Sequence, residues 1–172
     1  MKKIALPIDQ ETLVGLRAGD EVFLSGKIIS ARDQAHKRMV DLLSTGNRLH
    51  FSLTGEFIYY MGPTPAPPGL PIGSAGPTTS SRMDPFTPYL LDHGIKGMIG
   101  KGPRSKEVIA AINRNNAVYF YAFGGCGALY ADKIEEAELL AFPDLGPEAV
   151  YSLVVKDFPV IVAIDSQGNS LY

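Results

Sequence analysis

Arg32, Thr78, Thr79, Ser80, Arg82 and Lys101 are the residues of this 172-residue chain whose types and settings suit the binding of a small anion. Each stands where an apolar run gives way to small or turn-forming residues before a helical pattern begins. At such carboxyl ends of strands in mixed α/β sheets, free backbone N–H groups and helix N-termini favour negative charge. Brought together, these residues would present three fixed positive charges and several hydroxyl donors. Two or three cations suit a dicarboxylate better than a neutral ligand, because each carboxylate takes a forked guanidinium or an ammonium point charge. Spacing leaves a second reading open, in which Arg32 and Arg82 only pair with Asp33 and Asp84 at the surface.

Other reactive side chains carry weaker signals. His36 lies one helical turn beyond Arg32, within reach of the same ligand, or else is an exposed helix histidine without a chemical role. His36, His50 and His93 lack metal-ligand spacing, so no metal site is expected from them. The run Gly124-Gly125-Cys126-Gly127 has neither a GxxxxGK[ST] nor a GxGxxG pattern, which favours a tight turn at a close approach over a phosphate cradle. Cys126 is the only cysteine. It cannot form an internal disulfide, and any zinc or iron–sulfur group would have to be held mainly by another chain.

The elements that must position these residues can be read in order. Glu21 to Ser30 alternates with β-branched residues after the turn Gly19-Asp20, which predicts a strand. Asp33 then stands as a cap before a helix to Leu43, with Ala35, Met39, Leu42 and Leu43 on one face. Glu56 to Met61 predicts a second strand, followed by a surface loop with five prolines and two glycines between Gly62 and Pro71. A helix is expected from about Pro85 to Leu91, ended by His93-Gly94, then a strand at Lys96–Gly100 and a helix from Ser105 to Asn113. Ala117–Ala122 reads as a buried strand and Ala128–Asp132 as a short helix. Three further strands are expected, at Ile134–Ala141, Val150–Val155 and Val160–Asp165. The pattern is a mixed α/β fold, and residues 1–172 are read as a single domain.

Composition narrows the function class. Sixteen basic against eighteen acidic residues leave a net charge of -2, which gives no reason to expect nucleic acid or an anionic membrane as partner. No apolar run reaches the roughly 18 residues of a bilayer span, and Met1-Lys2-Lys3-Ile4 leads into polar Asp9-Gln10-Glu11 rather than a signal segment. A cytoplasmic protein is expected.

Three blocks make the sequence recognisable: Ala31-Arg32-Asp33-Gln34-Ala35-His36-Lys37-Arg38, Gly76-Pro77-Thr78-Thr79-Ser80-Ser81-Arg82-Met83-Asp84, and Ile99-Gly100-Lys101-Gly102. They resemble the β region of class I fumarases and L-tartrate dehydratases, and the likeness continues to Asp157-Phe158-Pro159 and Ile164–Asn169. The resemblance implies a swivelling β/β/α domain. It also implies a partner, a larger α subunit whose three cysteines ligate a 4Fe-4S cluster with one open iron, in an assembly of two copies of each subunit. By the same resemblance Arg32, Arg82 and Lys101 hold the substrate, and Thr78 is the catalytic base. Thr79, Ser80 and His36 stand behind them. A threonine hydroxyl is a very weak acid, so Thr78 as base needs Arg82 and Lys101 to stabilise its alkoxide; the other role open to it is hydrogen-bond donor. Asp84-Pro85-Phe86-Thr87-Pro88 and the glycines around Lys101 are closer to two-subunit fumarases, whereas Gly125-Cys126-Gly127 leans toward tartrate dehydratases. The expected activity is reversible hydration of fumarate to (S)-malate. The alternatives are an L-tartrate dehydratase β subunit, converting tartrate to oxaloacetate, and a dicarboxylate-binding assembly module without catalysis.

Overall fold

One ten-residue strand and three short, nearly continuously apolar ones make most of the parallel part of the sheet. They are β2 (Glu21–Ser30), β3 (Phe57–Tyr59), β4 (Gly97–Gly100) and β5 (Val118–Tyr121), seen in a computed structural model of residues 1–172. They pair in that order, with Ile29 beside Ile58, Ile58 beside Met98 and Met98 beside Tyr119. Successive side chains of a strand face opposite ways, and here both faces are covered. Phe57, Tyr59, Ile99, Val118 and Phe120 enter one core, whereas Ile58, Tyr60, Met98 and Tyr119 enter the other.

Strand β7 (Val150–Ile164) turns this row into a ring. It pairs antiparallel with β5 at one end and with the whole of β2, so that β2, β3, β4, β5 and β7 close a barrel-like sheet. Strand β1 (Lys2–Ala5) adds to β2 beside its first half, and β6 (Ile134–Ala141) adds to β7 beside its first half. Two separate strands were expected in the β7 region, because Lys156-Asp157-Phe158-Pro159 reads as a break. The chain instead runs through it. Asp157 takes a positive φ of 50° and its N–H donates to Ser25 Oγ, so the irregularity is absorbed as a bulge between the Leu24–Phe158 and Gly26–Val155 pairs.

Three helices cover the outer face: α2 (Asp33–Ser44), α3 (Thr87–Asp92) and α4 (Lys106–Arg114). Their buried residues, Ala35 and Met39, Leu90 and Leu91, and Val108, Ala111 and Ile112, pack on the outward side chains of the strands. Helix α1 (Gln10–Gly15), with Asp9 capping Thr12 N–H at 2.7 Å, and helix α5 (Gly127–Asp132) bring Leu13, Leu16 and Tyr130 to the inner core. Sequence patterning found neither β1 nor α1; both are too short for a clear period. Asp33 does not cap α2. Arg32 occupies the cap position, and Asp33 is the first helical residue. No helix is long and apolar enough to cross a membrane.

Candidate anion site at the strand ends

The parallel strands deliver the expected residues to one rim. Arg32 follows β2, Gly62 lies just past β3, Lys101 ends β4, and Gly124 lies just past β5. Arg32 crosses the end of β3: a Cβ on Gly62 would sit 2.8 Å from Arg32 Cδ, so only glycine leaves room for the guanidinium. Tyr60 O accepts from Thr78 N–H at 2.7 Å, which fixes the Thr78 loop to the same strand end. Thr79 forms a parallel bridge with Lys101, and Lys101 O accepts from Ser80 N–H at 2.8 Å. Lys101 Nζ in turn lies beside Gly124, 3.7 Å from where a Cβ would be. Arg32, Thr78 and Lys101 therefore lie along one continuous edge, joined by backbone contacts.

The cations are not equivalent. Arg32 Nε lies 3.7 Å from Glu148 Oε1, beyond hydrogen-bond range, and both atoms are buried without another partner. Arg82 is half exposed on a one-turn 3-10 helix, Ser80–Met83, and its Nη2 reaches Asp33 Oδ2 at 3.3 Å. Burial raises the Asp33 carboxyl, but its own N–H, Arg82 and Arg32 outweigh this and hold it below the usual carboxylate range. Neither surface pair expected from the sequence forms as written: Arg82 crosses to Asp33, and Asp84 is taken by Arg104. Lys101 has no carboxylate partner. The exposed Arg82–Asp33 pair is worth at most about 1 kcal/mol, so an incoming carboxylate can replace Asp33 at little cost. Thr78 is partly buried, and its hydroxyl has no hydrogen-bond partner in the protein.

Ser80 is not aimed at a ligand. It is buried, with Oγ 2.7 Å from Tyr119 OH, and Gly100 must be a glycine because a Cβ there would collide with Ser80 Oγ. Thr79 is exposed on the rim. The glycine turn is a close approach, since a Cβ on Gly127 would strike Ser74 Oγ. Arg104 was missed by sequence reasoning. It is buried between the rings of Tyr60 and Tyr119 and bound to Asp84. The signal was present in Tyr60 and Tyr119, two tyrosines inside expected buried strands whose hydroxyls need partners.

His36 is not the exposed helix histidine that one reading allowed. It is 1% exposed, packed edge-on against Tyr60 at 5.3 Å, and its Nδ1 lies 2.7 Å from Arg32 O, which as a carbonyl can only accept. The ring thus supports the residue before the helix from below. Burial, opposed by the bond to Arg32 O, reinforced by Arg104 and opposed by Asp33, pushes its pKa down to about 4. An unfolded histidine takes its proton near 6.5, so stability is fully present above that pH and falls as pH drops to 4, by about 3 kcal/mol in all. Denaturant unfolding between pH 6.5 and 4 should therefore show that His36→Gln loses about 3 kcal/mol less than the wild type. Equal losses would contradict a buried neutral imidazole.

The residues do not fit a resident metal cluster. Cys126 is the one cysteine, half-buried beside the inner core, and no group of three or more His, Cys, Asp or Glu side chains is placed to share an ion. Five surface cavities lie away from the rim. One of about 380 Å³ sits between the proline-rich loop and α5, and none of the five is lined by Arg32, Thr78 or Lys101. The rim is a shelf, bordered by exposed Thr79, Arg82 and Gly124.

Known proteins share this chain's sequence over nearly its whole length. The family described as Fumarase C-terminus matches residues 1–172. Fumarate hydratase 2 of Leishmania major is 38% identical over 170 residues, covering 96% of this chain and 30% of that protein. The anaerobic class I fumarate hydratase of Escherichia coli K12 is 38% identical over 151 residues, 87% of this chain and 28% of its own length. The chain thus spans about 30% of the first of these relatives. A putative L(+)-tartrate dehydratase subunit beta of Methanocaldococcus jannaschii is 40% identical over 163 residues, 91% of this chain and 84% of that one. With a match from first residue to last and a rim assembled from the blocks that carry the likeness, the chain belongs to the fumarase C-terminus family.

Proposed function

We propose that this chain is the β subunit of a two-subunit, 4Fe-4S-dependent fumarate hydratase and supplies the cationic half of its dicarboxylate site. The observation that carries the reading is the rim itself: Arg32, Thr78 and an unpaired Lys101 along the carboxyl ends of β2, β3 and β4. In this reading one substrate carboxylate takes the guanidinium of Arg32 and the other takes Lys101, with Arg82 exchanging Asp33 for substrate. Thr78 Oγ1 faces the substrate carbon that loses its proton, and the two flanking cations lower the cost of the alkoxide. An open shelf does not exclude water, so a second surface must close it. The larger α subunit does so, brings the cluster this chain has no ligands for, and pairs with it as two copies of each.

The Methanocaldococcus relative favours the second reading, a tartrate dehydratase β subunit, because the likeness to it, at 40% identity, covers 84% of that protein. A four-carbon dicarboxylate is common to both. Anaerobic co-expression with the large subunit, followed by cluster reconstitution and turnover assays, separates them. Fumarate and (S)-malate are expected to interconvert, with little or no turnover of either tartrate enantiomer. Turnover of tartrate alone would move the assignment to the second reading, and turnover of none of the four would overturn both.

A further inference from the structure

Two loops carry the polar part of the rim, and one buried side chain ties them together. Asp84 stands two residues after Arg82, and Arg104 three residues after Lys101. Arg104 Nε donates to Asp84 Oδ1 at 2.7 Å, while Asp84 Oδ2 accepts Ser105 N–H at 2.9 Å, so one carboxylate grips the Lys101 loop at two points. Arg104 Nη2 donates to Thr87 Oγ1 at 2.9 Å and to Tyr60 OH at 3.1 Å. Its guanidinium carbon lies 5.1 and 4.8 Å from the ring centroids of Tyr60 and Tyr119. Tyr119 OH donates its single hydrogen to Gly102 O at 2.8 Å and therefore accepts from Ser80 Oγ at 2.7 Å. The two loops are thus joined through Arg104 and through Tyr119, in addition to the Thr79–Lys101 bridge and the Ser80 N–H bond to Lys101 O.

The side chain of Arg104 is fully buried. A buried charge is tolerated only when paired and hydrogen-bonded, and replacing such a pair by apolar packing is often no loss of stability. The feature that packing cannot reproduce is geometry: a planar fork between two rings holds Asp84, Thr87 and Tyr60 in fixed directions, which an ammonium does not.

We propose that Arg104 is a positioning residue that sets the spacing between the Thr78–Arg82 loop and Lys101, and through it the length of dicarboxylate the rim accepts. The proposal rests on the dicarboxylate reading above. Arg104 touches no substrate in it; its effect passes through Asp84, Ser105 and the Tyr119–Ser80 bond.

The test uses the full chain and its Arg104→Lys variant, which keeps the charge and loses the fork. Amide NMR titrations with malonate, succinate and glutarate give relative affinities, and amide hydrogen exchange reports the loops. The wild type is expected to bind succinate about tenfold or more tighter than the shorter and longer acids, and the variant to narrow this to about threefold. Exchange across residues 80–84 and 102–105 should accelerate about tenfold or more, with α1 unchanged. Length discrimination and protection both intact in the variant would overturn the proposal, as would uniform acceleration through the chain, which marks general destabilisation. If neither the wild-type chain nor its two-subunit complex binds any of the three acids, the dicarboxylate reading fails and selection by length fails with it. Accelerated exchange confined to the loops would then still show that Arg104 ties them. Should Arg104→Lys not fold, Asp84→Asn removes the same ion pair from the other loop and is read in the same way.

Discussion

Thr78→Ala, assayed in the complex with its cluster-bearing subunit, is expected to lower kcat by about a hundred- to ten-thousandfold while KM for fumarate or malate stays within about threefold of wild type. The expectation follows from where the hydroxyl sits. Thr78 is held by its N–H on Tyr60 O, next to the Thr79–Lys101 bridge, and its own hydroxyl has no partner to satisfy it. In the proposed reading this unpartnered hydroxyl, on the residue before the Thr79–Lys101 bridge, is the group that takes and returns a proton. The Lys101 ammonium offers charge stabilisation for the alkoxide that an isolated threonine lacks. If KM rises and kcat is kept, Thr78 only donates a hydrogen bond to the bound substrate.

Arg32→Ala is expected to lower kcat/KM by about a hundred- to a thousandfold, corresponding to roughly 3 to 4 kcal/mol of lost transition-state binding. Arg32 lies across Gly62 with its Nε near Glu148, which orients the side chain from one side and leaves the far end of the guanidinium for a ligand. Removal takes away a forked, charge-assisted pair with a carboxylate and also leaves the buried Glu148 Oε1 without a counter-charge. Arg32→Lys restores the charge but not the fork, and is expected to recover less than half of the loss in free energy. Steady-state rates over a range of substrate concentration check both variants; an Arg32→Ala enzyme within about threefold of wild type would remove Arg32 from the site.

What the sequence made legible tracks the length and regularity of each signal. Strand β2 and helices α2 and α4 were found nearly to the residue, because ten-residue alternation and the 3.6-residue period are strong patterns. Closure of the sheet was not legible. It depends on β7 running unbroken through Asp157-Phe158-Pro159 and pairing with both β2 and β5, and no local pattern reveals which distant strand a strand will pair with. Arg32 and Lys101 could be placed at strand ends because each closely follows a strand and precedes a turn or a helix. The partner of Arg32 could not, since Glu148 lies more than a hundred residues from Arg32 and reaches it only through the turn after β6. His36 could have been placed correctly. It shares a helical face with Met39, three residues on, and that face was already read as buried.

On the proposed reading this chain is half of a site: the cations, the hydroxyl and the network behind them belong to one small fold, and another polypeptide supplies the surface that closes over them. Diffraction from crystals of the two-subunit complex grown with succinate, a non-reacting four-carbon dicarboxylate, tests that most directly. The account predicts ligand density at the carboxyl ends of β2 and β4, with one carboxylate on the Arg32 guanidinium and the other on Lys101 Nζ, and the large subunit covering it. Succinate bound away from this rim, or Arg32 and Lys101 both left facing solvent in the complex, would contradict it.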